Sequence, residues 1–319
     1  MKMKVIKNAL KMAKMQTREF GLIFTVKFWV YRYKRDYQKY IDNVSNILSP
    51  YLDRAIEETQ SEIRDIKMPD IVPVWIFWWQ GYENMPLVCK ACFESVKRNL
   101  PNNAKLILIT KDNYAEYVEI SFEILDKINK QIYSLTTFSD LLRNMLLVQH
   151  GGIWIDSTIY CAHPIENDFL QEKDFWSIKL KRDESDHGSI GRIISQRMWG
   201  SFIQKNHPNA RINTFVAKAL QLYMEDHNGI AEYFTQNMFI KMLYERDEKV
   251  RLEIDSIPIS NECVYDLADI INTQYNQEVY DKLVRNTTFF KLSWKKGYSQ
   301  YVNGKETFFA MILKNCNLI

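Results

Sequence analysis

The chain has 319 residues, 46% of them hydrophobic, which is enough to bury the core of one large domain or two small ones. Its 42 Lys and Arg residues against 39 Asp and Glu residues give a formal net charge of +3, which gives no reason to expect nucleic acid as a partner. Five scattered cysteines are not the dense, even set of a secreted disulfide scaffold, and they favour a reducing, cytoplasmic compartment.

The positive charge is concentrated at the N-terminus, where residues 1–35 carry ten Lys and Arg residues against Glu19 alone. This segment predicts a basic helix with interspersed apolar residues, which can lie on the surface of an anionic membrane. The alternative is a solvated helix that packs its apolar side on the body. The most apolar run, residues 20–31, is well short of the roughly 20 residues that span a bilayer. No signal-peptide cleavage pattern follows it.

From residue 71 onward, apolar runs alternate with amphipathic stretches. This pattern favours an α/β domain over residues 71–319, preceded by a helical extension over residues 1–70. The predicted strands are Val72–Trp79, Lys105–Thr110, Ile153–Asp156 and one near Glu253–Ile259. The predicted helices are Pro86–Asn99, 121–131, Ser134–His150, Asn213–Asp226 and Ile230–Arg246.

The chemistry-bearing residues cluster around the third predicted strand. Asp140 and Arg143 are three apart on a predicted helix and therefore share a face. Asp156 ends the strand, where ligands bind in open α/β sheets. Gly151 and Gly152 stop the helix and allow a sharp turn and a close approach to a ligand. These residues alone predict a polar ligand site, although a surface ion pair and a turn-capping aspartate are the open alternatives.

An ordered series of motifs extends the signal over residues 72–296. The motifs are Trp75–Gly81, Phe138–Arg143, Gly151–Thr158, His163–Ile165, Asp255–Pro258 and Lys291–Lys295. The series resembles the capsular polysaccharide synthesis proteins, relatives of glycosyltransferase family 32. That resemblance implies a GT-A-like fold, related to the Rossmann fold, with a nucleotide-sugar donor, expected to be a UDP-sugar. It also implies retaining transfer to a glycan or lipid-linked glycan acceptor, in capsular or other surface polysaccharide synthesis.

The resemblance also implies roles for four residues of the first motifs. Trp78 would stack on the nucleobase of the donor. Asp140 and Arg143 would contact the ribose and the donor sugar or phosphate. Asp156 would take the place of the first aspartate of the DxD motif, and it is therefore the candidate metal ligand as well as a catalytic candidate together with Asp140 and Arg143.

The C-terminal motif is expected to complete the donor site. Ser293 and Trp294 would belong to a segment that closes over the pyrophosphate, with Lys291 or Lys295 adding positive charge. Charge of this sign is needed because breaking the sugar–phosphate bond builds negative charge on the diphosphate.

One departure from the family pattern leaves open whether the site binds a metal ion. Thr158 stands where many GT-A enzymes have the second aspartate, and a hydroxyl is a poorer ligand for Mn²⁺ or Mg²⁺ than a carboxylate. Either Asp156 binds a cation through the diphosphate, or a lysine replaces part of the cation's charge. Asn237 similarly stands where an aspartate is expected in close relatives.

One further hypothesis remains beside that of an enzyme at the inner face of the membrane. The departure at Thr158 favours a non-catalytic membrane-surface scaffold with a degenerate nucleotide-sugar site. Trp176 and Trp199 are candidates for a sugar-binding platform in the acceptor half. The Cys89-x-x-Cys92 pair is interpreted as core packing, since no second pair accompanies it.

Overall fold

A four-stranded sheet of order β2-β1-β3-β5 forms the centre of the protein. The computed structural model describes residues 2–180 and 202–319. Strand β1 runs parallel to β2 and β3, whereas β5 runs antiparallel to β3. Two further pairs, β4 with β6 and β7 with β8, are antiparallel. The strands are β1 Val72–Phe77, β2 Ala104–Ile109, β3 Gly152–Ile155, β4 Ile159–Cys161, β5 Ile203–Asn206, β6 Phe289–Lys291, β7 Tyr301–Val302 and β8 Lys305–Glu306.

Helices cover both faces of this sheet, as the predicted α/β class requires, and that class is confirmed. In chain order they are α1 Lys2–Phe20, α2 Leu22–Lys34, α3 Tyr37–Thr59, α4 Leu87–Arg98, α5 Phe122–Asn129, α6 Leu135–His150, α7 Asn167–Gln171, α8 Arg211–Asp226, α9 Thr235–Arg246, α10 Glu248–Ser256, α11 Asp266–Ile270, α12 Gln277–Val284 and α13 Phe308–Asn315. Within the described ranges, no helix is both long enough and apolar enough to cross a membrane.

Alternation along β1 separates the apolar interior into two clusters. Trp75 points to the face covered by α3, α6, α8 and α9, whereas Val74 and Ile76 point to the face covered by α4 and α13. Strand β3 alternates in the same way, with Trp154 beside Trp75 and its neighbours on the opposite face. The sheet is therefore buried on both faces, which directs its functional groups to the strand ends.

The N-terminal helices belong to the first of these clusters. The predicted basic helix over residues 1–35 is divided at Gly21, where φ is +86°, and α1 and α2 lie against each other through a hydrogen bond from Trp29 Nε1 to Gln16 Oε1. Buried Phe28 and Tyr40 share the cluster with Trp75 of the sheet. Residue 70 therefore does not separate two apolar cores.

The predicted strand near Glu253–Ile259 is wrong, because helix α10 runs through Ser256 and Ile259 forms an isolated β-bridge with Lys179. Asp247 caps this helix by accepting hydrogen bonds from the backbone N–H groups of Lys249 and Val250. Val250 and Ile254, one helical turn apart, are its buried residues. Ile254 lies in the last turn of this helix, and Ile257 and Ile259 follow its end.

The glycine pair ends α6 as predicted. The close approach that the pair allows is between its own backbone and other residues of the chain. Gly151 and Gly152 have φ angles of +65° and +95°. A Cβ atom on Gly152 would lie 2.1 Å from the carbonyl oxygen of Pro73, and one on Gly151 would lie 2.7 Å from the Cδ of Pro208. The pair lies at the start of β3, at the opposite end of that strand from Asp156.

Candidate functional site

A cavity of about 450 Å³ opens at the carboxyl ends of the parallel strands β1 and β3. This volume lies within the range of small-molecule sites, and strand carboxyl ends are where open α/β sheets bind ligands. Its described walls come from the end of β1, the start of α6, the end of β3, the loop before α9 and the segment after β6. The lining residues are Phe77, Trp78, Trp79, Gln80, Leu135, Thr136, Ser139, Trp154, Asp156, Ser157, Thr158, Tyr233, Lys291, Leu292, Ser293, Trp294 and Lys295.

Asp156 lines the cavity, and both of its carboxylate oxygens accept hydrogen bonds. Oδ1 accepts from Trp154 Nε1 at 2.9 Å and from the Arg143 guanidinium at 3.4 Å. Oδ2 accepts from Lys291 Nζ at 2.8 Å. The side chain is one quarter exposed, so the carboxylate faces the cavity while its orientation is set from below.

Strand pairing places Lys291 beside Asp156. Antiparallel pairing of β4 with β6 sets Lys291 opposite Ile159, and the Leu292 N–H donates to the Thr158 carbonyl at 2.8 Å. The Lys291 ammonium therefore reaches Thr158 Oγ1 at 2.9 Å as well as the Asp156 carboxylate. It bridges the two side chains of the Asp156-x-Thr158 motif. We call Asp156, Thr158 and Lys291 the floor of the cavity.

Arg143 lies beneath this floor, with 1% of its side chain exposed. Its guanidinium lies 3.3 Å from Asp140, 3.4 Å from Asp156 and 3.0 Å from the Gln236 amide oxygen, and it stacks over the Trp154 ring at 5.1 Å. Asp140 and Arg143 do share a helix face, but neither is among the described residues that line the cavity. In this geometry Arg143 orients Asp156 from below.

The pKa of the Asp140 carboxyl group is raised by its surroundings. Burial raises the pKa of its carboxyl group to about 7, although the Arg143 guanidinium opposes the rise. The nearby Asp156 carboxylate adds to the rise. A carboxyl group with this pKa is partly protonated at neutral pH and can both donate and accept a hydrogen bond.

The other candidates form what we call the rim of the cavity: Trp78, Ser293, Trp294 and Lys295. The rings of Trp78 and Trp294 meet edge to face at 6.2 Å, and Trp294 is 49% exposed. Lys295 Nζ lies 5.6 Å from the Trp294 ring, and its backbone N–H donates to Ser293 Oγ. The Nε1 of Trp78 is buried without a hydrogen-bond partner among the described residues. The rim thus combines apolar rings, a cation and an unused donor.

Tyr233 is a cavity residue that the sequence reasoning missed. It precedes α9 and lies opposite the floor, where burial followed by the charges of Asp140 and Asp156 raises its pKa. Its loop is held by the N-terminal helices: Gln16 Nε2 donates to the Ala231 carbonyl, and the Tyr40 hydroxyl donates to Glu232. No local motif marks Tyr233, because its position depends on contacts distant in sequence.

The donor set of the floor does not fit a divalent cation. Mn²⁺ and Mg²⁺ prefer carboxylate oxygens, whereas the floor offers the single carboxylate of Asp156, whose two oxygens already accept hydrogen bonds from Arg143, Trp154 and Lys291. No group of three or more His, Cys, Asp and Glu residues positioned to hold a metal occurs within residues 2–180 and 202–319. The ammonium of Lys291 would repel a cation bound there.

The remaining sequence candidates lie apart from the cavity or outside the described residues. Trp176 is half-buried between Phe169 and Phe289 and is not among the described lining residues. Trp199 lies outside the described residues. Cys89 and Cys92 are buried in the apolar cluster beside the sheet, which confirms their assignment to the core.

Comparison with known proteins identifies the class of the chain. The model of the family described as "Capsular polysaccharide synthesis protein" matches residues 25–312, and the chain belongs to this family. The O-glycosyltransferase braB of Annulohypoxylon truncatum is 29% identical over 170 residues, 49% of this chain and 38% of that protein. The matched region thus spans well under two thirds of that relative.

Two solved structures are also similar to the chain. The apo WbbM bifunctional glycosyltransferase matches 80% of this chain and 51% of its own, with 12% identity and a TM-score of 0.43. The PaToxG glycosyltransferase matches 77% of this chain and 94% of its own, with 13% identity and a TM-score of 0.36. The chain is thus a member of this family that is similar in sequence to a glycosyltransferase.

Proposed function

We propose that this protein transfers a sugar, with retention of configuration, from a nucleotide-sugar donor to a glycan or lipid-linked glycan acceptor in surface polysaccharide synthesis, on a GT-A-like fold. The observation that carries the proposal is the convergence of Trp78, Asp156 and Lys291 on one cavity at the carboxyl ends of parallel strands. A ring can stack on a base, a cation can bind a diphosphate, and a carboxylate can face a sugar. A UDP-sugar is the first donor to test.

A calorimetric screen of nucleotide sugars tests this function. We expect one base to be preferred and the bound donor to be hydrolysed or transferred. Asp156→Asn keeps the shape of the floor but removes the charge that Lys291 and Arg143 face, so turnover should fall on the order of 100-fold. If no nucleotide sugar binds while the protein still binds vesicles, the non-catalytic scaffold is the correct function.

We further propose that α1 and α2 hold the protein at the anionic inner surface of a membrane. The side of α2 away from the core exposes Leu22, Ile23 and Val26, which are 65%, 74% and 51% exposed. Exposed Lys27 follows Val26 on the same helix. Apolar side chains that insert beside lysines match a surface of anionic lipid headgroups.

Vesicle sedimentation tests the membrane surface. Binding to phosphatidylcholine vesicles that contain phosphatidylglycerol should exceed binding to phosphatidylcholine alone. Ile23→Ser should weaken it roughly 10-fold, because burial of such a side chain contributes about 1.5–3 kcal/mol. Tyr301→Ser, which changes a 57% exposed ring on β7, is the matched control and should bind as the wild type does. Equal binding to both kinds of vesicle would contradict the proposal.

A further inference from the structure

We propose that the ammonium of Lys291 replaces the divalent cation of the donor site, so that sugar transfer by this protein needs no metal. The inference rests on the proposed function and names the group that neutralises the donor's diphosphate. Its starting point is the position of Lys291 Nζ, 2.8 Å from Asp156 and 2.9 Å from Thr158. A cation shared by these two side chains therefore already exists, and it is part of the chain.

The ammonium has capacity left for a ligand. Asp156 Oδ2 and Thr158 Oγ1 use two of its three N–H donors, and within the part of the chain that the structure describes one donor remains. The Lys291 side chain is 24% exposed and lines the cavity. A phosphate oxygen in the cavity can therefore accept a short, charge-assisted hydrogen bond from this group.

Among the described residues, the groups at and directly beneath the floor carry more positive than negative charge. The single carboxylate of Asp156 is contacted by two cations, Lys291 and Arg143. Asp140 offsets Arg143 only in part, because burial favours its neutral form. The local balance therefore favours an anion, and Asp156 holds the ammonium in position without cancelling the whole charge.

The position of Lys291 is rigid. Its backbone N–H donates to the Val264 carbonyl, the next N–H donates to the Thr158 carbonyl, and Nζ lies 5.1 Å from the Phe202 ring. A group that is oriented before the reaction stabilises developing charge without reorganising during it. This is the property that a bound metal would otherwise supply.

The step that Lys291 assists is the departure of the nucleoside diphosphate. The bond between the sugar C1 and the phosphate oxygen breaks, and both of its electrons go to that oxygen. The oxygen of the acceptor hydroxyl forms the new bond to C1, and the hydroxyl proton leaves with the diphosphate. Lys291 stabilises the negative charge that builds on the phosphate oxygens.

Removal of metal from the wild-type protein is the first test. We expect EDTA and added Mn²⁺ to leave UDP affinity and sugar transfer unchanged, with the corresponding nucleotides used if the donor screen selects another base. Loss of transfer in EDTA with recovery on Mn²⁺ addition would overturn the inference and leave the proposed function standing. Absence of any nucleotide-sugar binding in both conditions would overturn the proposed function itself.

A pair of ligands then tests Lys291 directly. Lys291→Met should lower the affinity for UDP about 10- to 100-fold, the value of a hydrogen bond to a charged group, but should leave the affinity for uridine unchanged. Lys291→Arg should restore much of the UDP affinity. Lys296→Met is the matched control, because Lys296 is exposed outside the cavity lining. Equal losses for UDP and uridine would show a structural role and overturn the inference.

Discussion

The floor and the rim of the cavity differ in how their side chains are held. On the floor, Asp156 and Lys291 are connected by hydrogen bonds, and the buried Arg143 supports them from below. On the rim, Trp294 is half exposed and Trp78 keeps a buried Nε1 without a partner among the described residues. The floor is therefore oriented before a ligand arrives, whereas the rim has contacts left to make with one.

The largest expected effect comes from removing the buried support of the floor. Arg143→Met leaves Asp156, Asp140 and Gln236 without their shared donor, and loss of one member of a buried charge cluster typically destabilises a protein by about 3–5 kcal/mol. The free energy of unfolding in urea, measured for both proteins, is the test. Arg54→Met removes an exposed ion pair with Glu58 and is the matched control, with little expected effect.

If both arginine variants unfold at the same urea concentration, the charges of the floor are not interdependent. The contrast with the rim would then be lost, because the buried guanidinium would behave like a solvated one. A loss of stability confined to Arg143→Met would instead show that the floor depends on a buried group outside the described cavity lining.

The second prediction is a loss of nucleotide affinity when a residue of the rim is changed. Trp78→Leu should weaken binding of uridine and UDP alike by about 1–3 kcal/mol, the typical contribution of an aromatic ring stacked on a base. Isothermal titration with both ligands measures it. Trp29→Leu, which changes a half-buried indole in α2 away from the cavity, is the control and should leave both affinities unchanged. A loss seen only with UDP would place the base elsewhere.

Some features of the floor and of its buried support can be predicted from the sequence, and others cannot. Asp156 at a strand end and Asp140 with Arg143 on one helix face follow from local periodicity, and the structure has both features. The direction of that helix face does not follow, because Arg143 is buried by packing of α6 against α8 and α9. The bridging position of Lys291 depends on the pairing of β4 with β6, which no local pattern reveals.

The error near Glu253–Ile259 has a related cause. Ile257 and Ile259 alternate as in a strand, but the capping aspartate Asp247 begins a helix that runs through Ser256. A short apolar run does not distinguish the two structures without its flanking signals. The helix nevertheless leaves the cavity unchanged, because no residue of α10 lines it among those described.

The last expected effect is a pH dependence that separates the floor from the rim. The pKa of Asp140 is raised to about 7 by burial, whereas an unfolded aspartate has a pKa of about 3.9. Between these values the folded protein keeps a proton that the unfolded chain loses. The contribution of Asp140 to stability is therefore fully present at low pH and is lost as pH rises toward 7, by up to about 1.4 kcal/mol per pH unit.

Asp140→Asn should remove this dependence, so the difference in unfolding free energy between wild type and variant should change steadily from about pH 5 to pH 7 and then level off. Arg143, Asp156 and Tyr233 are the charged or titratable groups that interact with Asp140, and all three remain in the variant. Tyr233→Phe, which changes a cavity residue opposite the floor, should keep the wild-type slope.

A constant difference across this range would mean that Asp140 is ionised throughout, and Arg143 would then be neutralised by a full carboxylate. The floor would in that case carry less positive charge toward a bound diphosphate.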